Sequence, residues 1–271
     1  MAITSLDGLI DATGNNAQSL VVNKASIANT TAGGFCSLWR ATGTPAQGGV
    51  PSTVAVCTNA TTGAFGINNA SGGLTNYLAR AFLLSSNAAT DVQFHDRLSH
   101  MGGLSGIVTT AQTVNVDASD GALTSRIGSS DYGDVQWWLE WYTDTGATAS
   151  NATVAVTYDD NSTGNLAVIA VGGTVRASRM IPLLPAVAGR KIKSVQSVTL
   201  SASTGTAGSF GVTATRALCG LSLGLANAGV VADWAYLGLP QIAPNTCLQM
   251  IMVPGTTTSG ALYGSGKVVT G

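Results

Sequence analysis

Val135-Gln-Trp-Trp-Leu-Glu-Trp-Tyr142 decides the reading of this chain. Side chains of a strand alternate between its two faces. Read so, Trp137, Leu139 and Trp141 share one side, and Trp138, Glu140 and Tyr142 the other. The first set fills a core. The second set is expected to face outward, with Trp138 and Tyr142 flanking Glu140 as interface aromatics or as a stacking platform for sugars. Glu140 is also the sole glutamate among 271 residues, which include only four lysines. Exposed helix faces are built largely from Glu, Lys, Gln and Arg, so few surface helices are expected. The 34 glycines and 33 threonines suit turns and strands instead. The predicted fold is therefore all-β.

Working outward, short apolar runs alternate with glycine pairs at 33–34, 48–49, 72–73, 102–103 and 172–173. Thr90 to Leu98 reads as a strand with Val92, Phe94, Asp96 and Leu98 on one face and Gln93, His95, Arg97 and Ser99 on the other. Thr153–Tyr158 and Leu166–Val171 flank a polar turn, as a hairpin does. Ser194–Ala202 and Phe210–Thr215 are expected to form a second hairpin around Thr204-Gly-Thr-Ala-Gly208. Cys247–Val253 is a late strand. Many short strands at regular spacing point to a β-sandwich of jelly-roll type. At the N-terminus, Ser5 caps a predicted short helix to Ala12, with Leu6, Leu9 and Ile10 on its apolar face and Gly14 ending it. Two turns are marginal alone. Residues 1–30 are accordingly read as an arm, with Ala2 to Leu20 clamping a neighbouring subunit, and 31–271 as the sandwich body. A subdivision is placed near 128–133.

A folded chain of 27.2 kDa exposes about 11,000 Å². Its 25 charged side chains are few for such a surface, and the net charge is −1. Much of the surface is thus expected to be covered by other subunits. Nucleic-acid binding needs a clustered basic patch, and Arg190, Lys191 and Lys193 form only a short basic turn. No apolar run is long enough for a membrane span. Met1 to Ala12 lacks the basic start of an export signal, so cytoplasmic synthesis is expected. Cys36, Cys57, Cys219 and Cys247 contain no C-x-x-C pair, and free buried thiols are expected rather than a zinc site.

Motifs that carry chemistry fail on their surroundings. Gly220-Leu-Ser-Leu-Gly224 has the form of a nucleophile elbow, but no histidine follows His100 in the chain. Gly264-Ser-Gly-Lys267 lacks the leading glycine and the following Ser or Thr of a phosphate loop. Asp159–Gly164 starts like a calcium loop, yet its twelfth position is Ala170. His95 and Asp96 fall on opposite strand faces, with His100 beyond. No catalytic residue, cofactor or metal ligand is assigned, and no enzyme activity is expected.

Five ordered segments carry a resemblance: Ser5-Leu-Asp-Gly-Leu-Ile10, Gly72-Gly-Leu-Thr-Asn-Tyr-Leu-Ala-Arg80, Asp96-Arg-Leu98, Ala155-Val-Thr-Tyr158 and Gly238-Leu-Pro-Gln-Ile242. Together they resemble a family of tailed-bacteriophage virion proteins that begin with a Ser-Leu-Asp-Gly-Leu-Ile segment. Members tend to carry a larger aromatic where this chain has His95. The resemblance implies a capsid decoration, or cement, protein. Such a protein binds the outer face of an expanded shell, often as a homotrimer, so its partners are the major capsid protein and itself, and its place is the virion. A receptor- or glycan-binding head protein and a tail or collar component are the alternatives. The residues expected at the interface are Leu6, Leu9, Ile10, Trp138 and Tyr142.

Overall fold

A computed structural model describes residues 3–173 and 177–271. Met1 and Ala2, the start of the expected arm, lie outside the described residues. The all-β expectation holds, and the sandwich is doubled: a closed ring of strands lies between two flanking sheets.

The ring contains β2 (Phe35–Ser37), β6 (Thr90–Leu104), β8 (Val135–Thr143), β12 (Arg179–Leu183), β14 (Ser209–Leu223) and β17 (Leu248–Val253), with β4 (Ala55–Val56) added on β6. Its order is β14-β8-β12-β2-β17-β6, and the long β6–β14 ladder closes it. The first flanking sheet carries β1 (Ala17–Lys24) and β18 (Leu262–Thr270), from opposite ends of the chain. Beside them lie β3 (Gly43–Thr44), β5 (Asn76–Ser85), β15 (Val230–Asp233) and β16 (Gln241–Ile242). We call it the terminal sheet. The second, the hairpin sheet, holds β7 (Gln112–Asp117), β9 (Ser150–Tyr158), β10 (Thr163–Asn165), β11 (Ile169–Val171) and β13 (Ile192–Leu200).

Alternation explains why the ring is buried on both faces. In β8, Trp137, Leu139 and Trp141 pack outward onto Val154, Val156, Val195 and Val198 of the hairpin sheet. In β17, Leu248, Met250 and Met252 pack outward onto Leu20, Val22, Leu78 and Val268 of the terminal sheet. The fifteen-residue strands β6 and β14 serve both layers. Val92, Phe94, Leu221 and Leu223 face the terminal sheet, whereas Leu98, Phe210 and Val212 face the hairpin sheet. Register shifts in the β6–β14 ladder let one strand change which parity of residue it points outward.

Several expectations are corrected. Residues 17–24 are not part of a free arm: β1 pairs along its length with β18 inside the terminal sheet. The helix α1 (Leu6–Asn15) runs through Gly14, capped by Ser5, whose Oγ accepts from the Gly8 N–H at 3.1 Å. It docks on its own chain, with Leu9 and Ala12 against Ala79 and Val269. The 128–133 stretch divides nothing, because the ring draws strands from both sides of it.

The hairpin from Thr153 forms, but its return strand starts earlier than expected and is split into β10 and β11, both paired to β9. The second expected hairpin does not. β13 belongs to the hairpin sheet and β14 to the ring, so the 201–208 loop crosses between layers. A buried hydroxyl anchors that crossing: Thr204 Oγ1 accepts from the Gly146 N–H and donates to the Gly106 carbonyl, both at 3.0 Å.

Removing that hydroxyl leaves a buried N–H without a partner. Thr204→Val is expected to destabilise the fold by about 2 kcal/mol, read as a lower urea midpoint with an unchanged slope. An unchanged midpoint would show that the crossing does not need its anchor.

Candidate functional site

Two features stand out: a charged interior that solvent does not reach, and an outer sheet face with exposed apolar rows that the described residues cover at one end only.

The interior is organised by Arg97 from β6. Its Nη2 donates to Glu140 Oε2 of β8 at 2.6 Å, and both side chains are fully buried. Nη1 donates to Glu140 Oε1 at 3.3 Å and to Gln249 Oε1 of β17 at 3.2 Å. Nη2 also reaches Thr213 Oγ1 of β14 and the Tyr142 hydroxyl. The guanidinium carbon lies 4.5 Å from the centre of the Trp39 ring, a cation–π contact. Four strands of the ring thus meet at one side chain. A second buried pair sits beside it. Asp96 accepts from Arg126 Nε at 2.9 Å and Nη2 at 2.5 Å, and also from the Cys247 N–H at 2.9 Å.

Electrostatics follow from this packing. Burial alone would raise the Glu140 carboxyl, but the Arg97 charge and hydrogen bonds from Arg97, Thr213 and Ser37 hold it below the ordinary value. Burial pulls the Arg97 guanidinium down, and Glu140 more than offsets it. Burial also raises the Tyr142 hydroxyl. His100 Nδ1 takes hydrogen bonds from Arg97 Nε and Nη2, so this ring is neutral with its proton on Nε2. Burial and the Arg97 charge lower its pKa accordingly. His95 is lowered to about 4 by burial, and its nitrogens bond Thr215 and Gln93.

This places the expected interface aromatics. Trp138 and Tyr142 are only 3% and 4% exposed. They face inward because the second face of β8 lines the closed ring rather than solvent. Trp138 packs on Phe35, Met180 and Ile251 and donates from Nε1 to Thr215 Oγ1 at 2.9 Å. Neither residue offers a subunit contact or a sugar platform. Leu9 is likewise buried, on the inner face of α1, whereas Leu6 and Ile10 are 57% and 62% exposed.

The discounted motifs sit in ordinary structure. Ser222 lies within β14 and donates to Asp91. Gly264–Lys267 lies within β18. In the Asp159–Gly164 turn, Asp160 accepts from the Ser162 N–H and hydroxyl. Among the described residues, no cluster of His, Cys, Asp and Glu is arranged to hold a metal. A cleft of about 330 Å³ opens where the ring meets the hairpin sheet, and Phe35, Trp138, Pro182, Leu184 and Lys191 help to line it. Among the described residues, neither a carboxylate nor a histidine lines it.

The outer face of the terminal sheet is the second feature, and the sequence reading missed it. Registered across neighbouring strands, Val231 lies beside Phe82, Phe82 beside Ser265, and Ser265 beside Val21. The next row joins Leu84 to Tyr263 and Asn23. α1 covers only the Tyr77–Ala79 end of this face, where Lys267 Nζ donates to the Thr13 carbonyl. Val21, Val231 and Tyr263 are left exposed, close in register to one another. Alternation with Leu20, Val22 and Ala232 is the signal that could have found these strands, but only the ladder shows that the exposed members align.

Comparison with known proteins adds little. No family model matches the chain, and no curated protein matches it. Among solved structures, the VP2 subviral particle of infectious bursal disease virus aligns over 94% of this chain and 79% of its own, at 12% identity and a TM-score of 0.19. The T=1 particles derived from infectious bursal virus align over 94% and 77%, at 12% identity and a TM-score of 0.20. Likenesses this slight carry no inference about this chain. Among the described residues, no helix is long and apolar enough to cross a membrane.

Two outcomes are expected from the interior. Glu140→Gln leaves Arg97 buried without its counter-charge and costs about 3–5 kcal/mol in urea unfolding. The double variant Arg97→Met with Glu140→Leu costs less than the sum of the two single changes; strict additivity would contradict a coupled pair. The second outcome concerns acid. His95 titrates near 6.5 when unfolded and near 4 when folded. In that window the unfolded chain binds the extra proton. Stability is therefore whole above about pH 6.5 and falls as the pH drops towards 4, by on the order of 3 kcal/mol. His95→Gln should make the profile of unfolding midpoint shallower between pH 7 and 4.5, leaving the part due to His100. A variant profile parallel to the parent's would remove His95 from the account.

Proposed function

We propose that this chain is a structural protein of a virus particle, specifically a decoration protein of a tailed bacteriophage. It binds the outer face of the capsid shell and stabilises it through non-covalent contacts with the major capsid protein and with further copies of itself, as a homotrimer. The observation that carries the reading is the set of exposed apolar side chains on the outer face of the terminal sheet (Val21, Val231 and Tyr263), with Leu6 and Ile10 exposed on α1. The Ser5–Ile10 segment on which that helix starts is also the first segment of the sequence resemblance.

Physical reasoning supports this use of the face. Among the described residues Lys24, Asp96, Arg97, Arg126 and Glu140 are buried, so the surface carries still fewer charges than composition suggests. A neutral surface gives little electrostatic steering and binds mainly by excluding water from apolar area, at about 25 cal/mol per Å². One such contact is modest. Repeated across a shell lattice with linked subunits, it becomes strong by avidity. The role requires no catalytic residue, and the chain is proposed to have none.

The test is co-sedimentation with expanded shells that lack the protein. Saturable binding is expected, at a ratio fixed by the lattice and little changed between 0.05 and 0.5 M salt. Leu6→Ser with Ile10→Ser should weaken it about 10- to 100-fold while leaving the melting temperature of the free protein unchanged. Absence of binding, with the protein found only at tails or collars of intact virions, would overturn the decoration role.

A further inference from the structure

Cys57 and Cys247 are far apart in sequence and adjacent in the fold. Both are wholly buried, in a small cluster with Trp39 and Tyr142. The Cys57 N–H donates to the Leu98 carbonyl at 2.9 Å while the Cys247 carbonyl accepts from the neighbouring Arg97 N–H, so the two cysteines meet at adjacent positions along β6. The backbone around them is pinned by the charged interior. Arg126 Nη1 donates to the Cys57 carbonyl at 2.6 Å, the Cys247 N–H donates to Asp96, and the Arg97 N–H donates to the Cys247 carbonyl at 2.9 Å. The sulfurs are thus held together by groups that do not depend on a covalent link.

We propose that Cys57 and Cys247 form a latent disulfide, closed by a small peroxide, that staples the irregular 57–75 stretch to the ring at β17. The two thiols divide the chemistry between them. Hydrogen bonding to Cys247 lowers the Cys57 thiol against the effect of burial, helped by His100 and by the Arg97 charge. Burial and the neighbouring sulfur raise Cys247. Cys57, whose backbone pairs with Leu98 next to the Arg97 charge, is assigned the attack. Its thiolate attacks one peroxide oxygen, the O–O bond breaks, and hydroxide leaves, taking a proton to become water. Cys247 then attacks the sulfur of the resulting sulfenic acid, releasing its proton and a second hydroxide, which combine as water. Two electrons pass from the sulfurs to the peroxide, and the products are one disulfide and two waters. The remaining cysteines stand apart from this reaction. Burial pushes Cys36 and Cys219 up to about 12, which keeps them as thiols. The 57–75 stretch has no strand or helix of its own, and its local opening is the route proposed for the peroxide.

This inference does not rest on the proposed function. It is tested by treating the purified full chain with hydrogen peroxide at neutral pH, then measuring the intact mass and mapping its non-reduced peptides. A loss of about 2 Da and a cross-linked peptide joining Cys57 to Cys247 are expected, with a melting temperature raised by about 5–10 °C. A thiol reductant should reverse both. Cys57→Ser and Cys247→Ser should each abolish the link, and Cys36→Ser with Cys219→Ser should leave it intact. Four free thiols after treatment, oxygen added without a link, or a link that uses Cys36, Cys219 or a second chain would overturn the proposal. The mass and peptide map of the parent protein decide it even where a variant fails to fold.

Discussion

The fully buried ion pair of Arg97 and Glu140 constrains everything around it. Two charges can leave water only where their hydrogen-bonding capacity is met from the surroundings. Here the Arg97 fork is met by Glu140, Gln249, Thr213, Tyr142 and the His100 ring. These groups come from β6, β8, β14 and β17, so the pair is satisfied only when the ring closes. Both flanking sheets pack on the outside of that ring, and the pair thereby ties two otherwise separate hydrophobic layers to one event.

The same geometry explains what could be read from the sequence. Alternation in 135–142 correctly separated Trp137, Leu139 and Trp141 from Trp138, Glu140 and Tyr142. It could not say what the second face meets. A polar side chain inside a closed ring and one in water leave the same trace in a strand pattern. Glu140 was the available clue: a lone carboxylate among aromatics, in a chain that uses glutamate nowhere else. Gly102 and Gly103 read as a break, yet β6 runs through them because Gly103, at a φ of 79°, bends the strand without ending it. The 201–208 loop has the chemistry of a hairpin turn. The partners of its flanking strands lie 34 to 133 residues away, beyond the reach of local pattern. Five ordered segments pointed to a virion protein, whereas the face that would bind a particle emerged only when β1, β5, β15 and β18 were laid side by side.

Ring and face have complementary parts in the proposed role. The buried charges keep the body in one conformation while making no call on solvent. The terminal sheet is left with an apolar outer surface that α1 covers at one end only. A body that arrives rigid loses little conformational entropy on docking, so modest apolar contacts count more fully towards affinity. Trp138 and Tyr142 contribute indirectly, by filling the ring that holds the sheet in place.

Hydrogen exchange of the chain, free and bound to capsid shells, tests the assembly surface most directly. The account predicts that added protection on binding is confined to α1 and to the exposed rows of β1, β5, β15 and β18, with the ring amides slow in both states. Protection gained instead over the hairpin sheet or the cleft beside Lys191, with α1 unchanged, would contradict it.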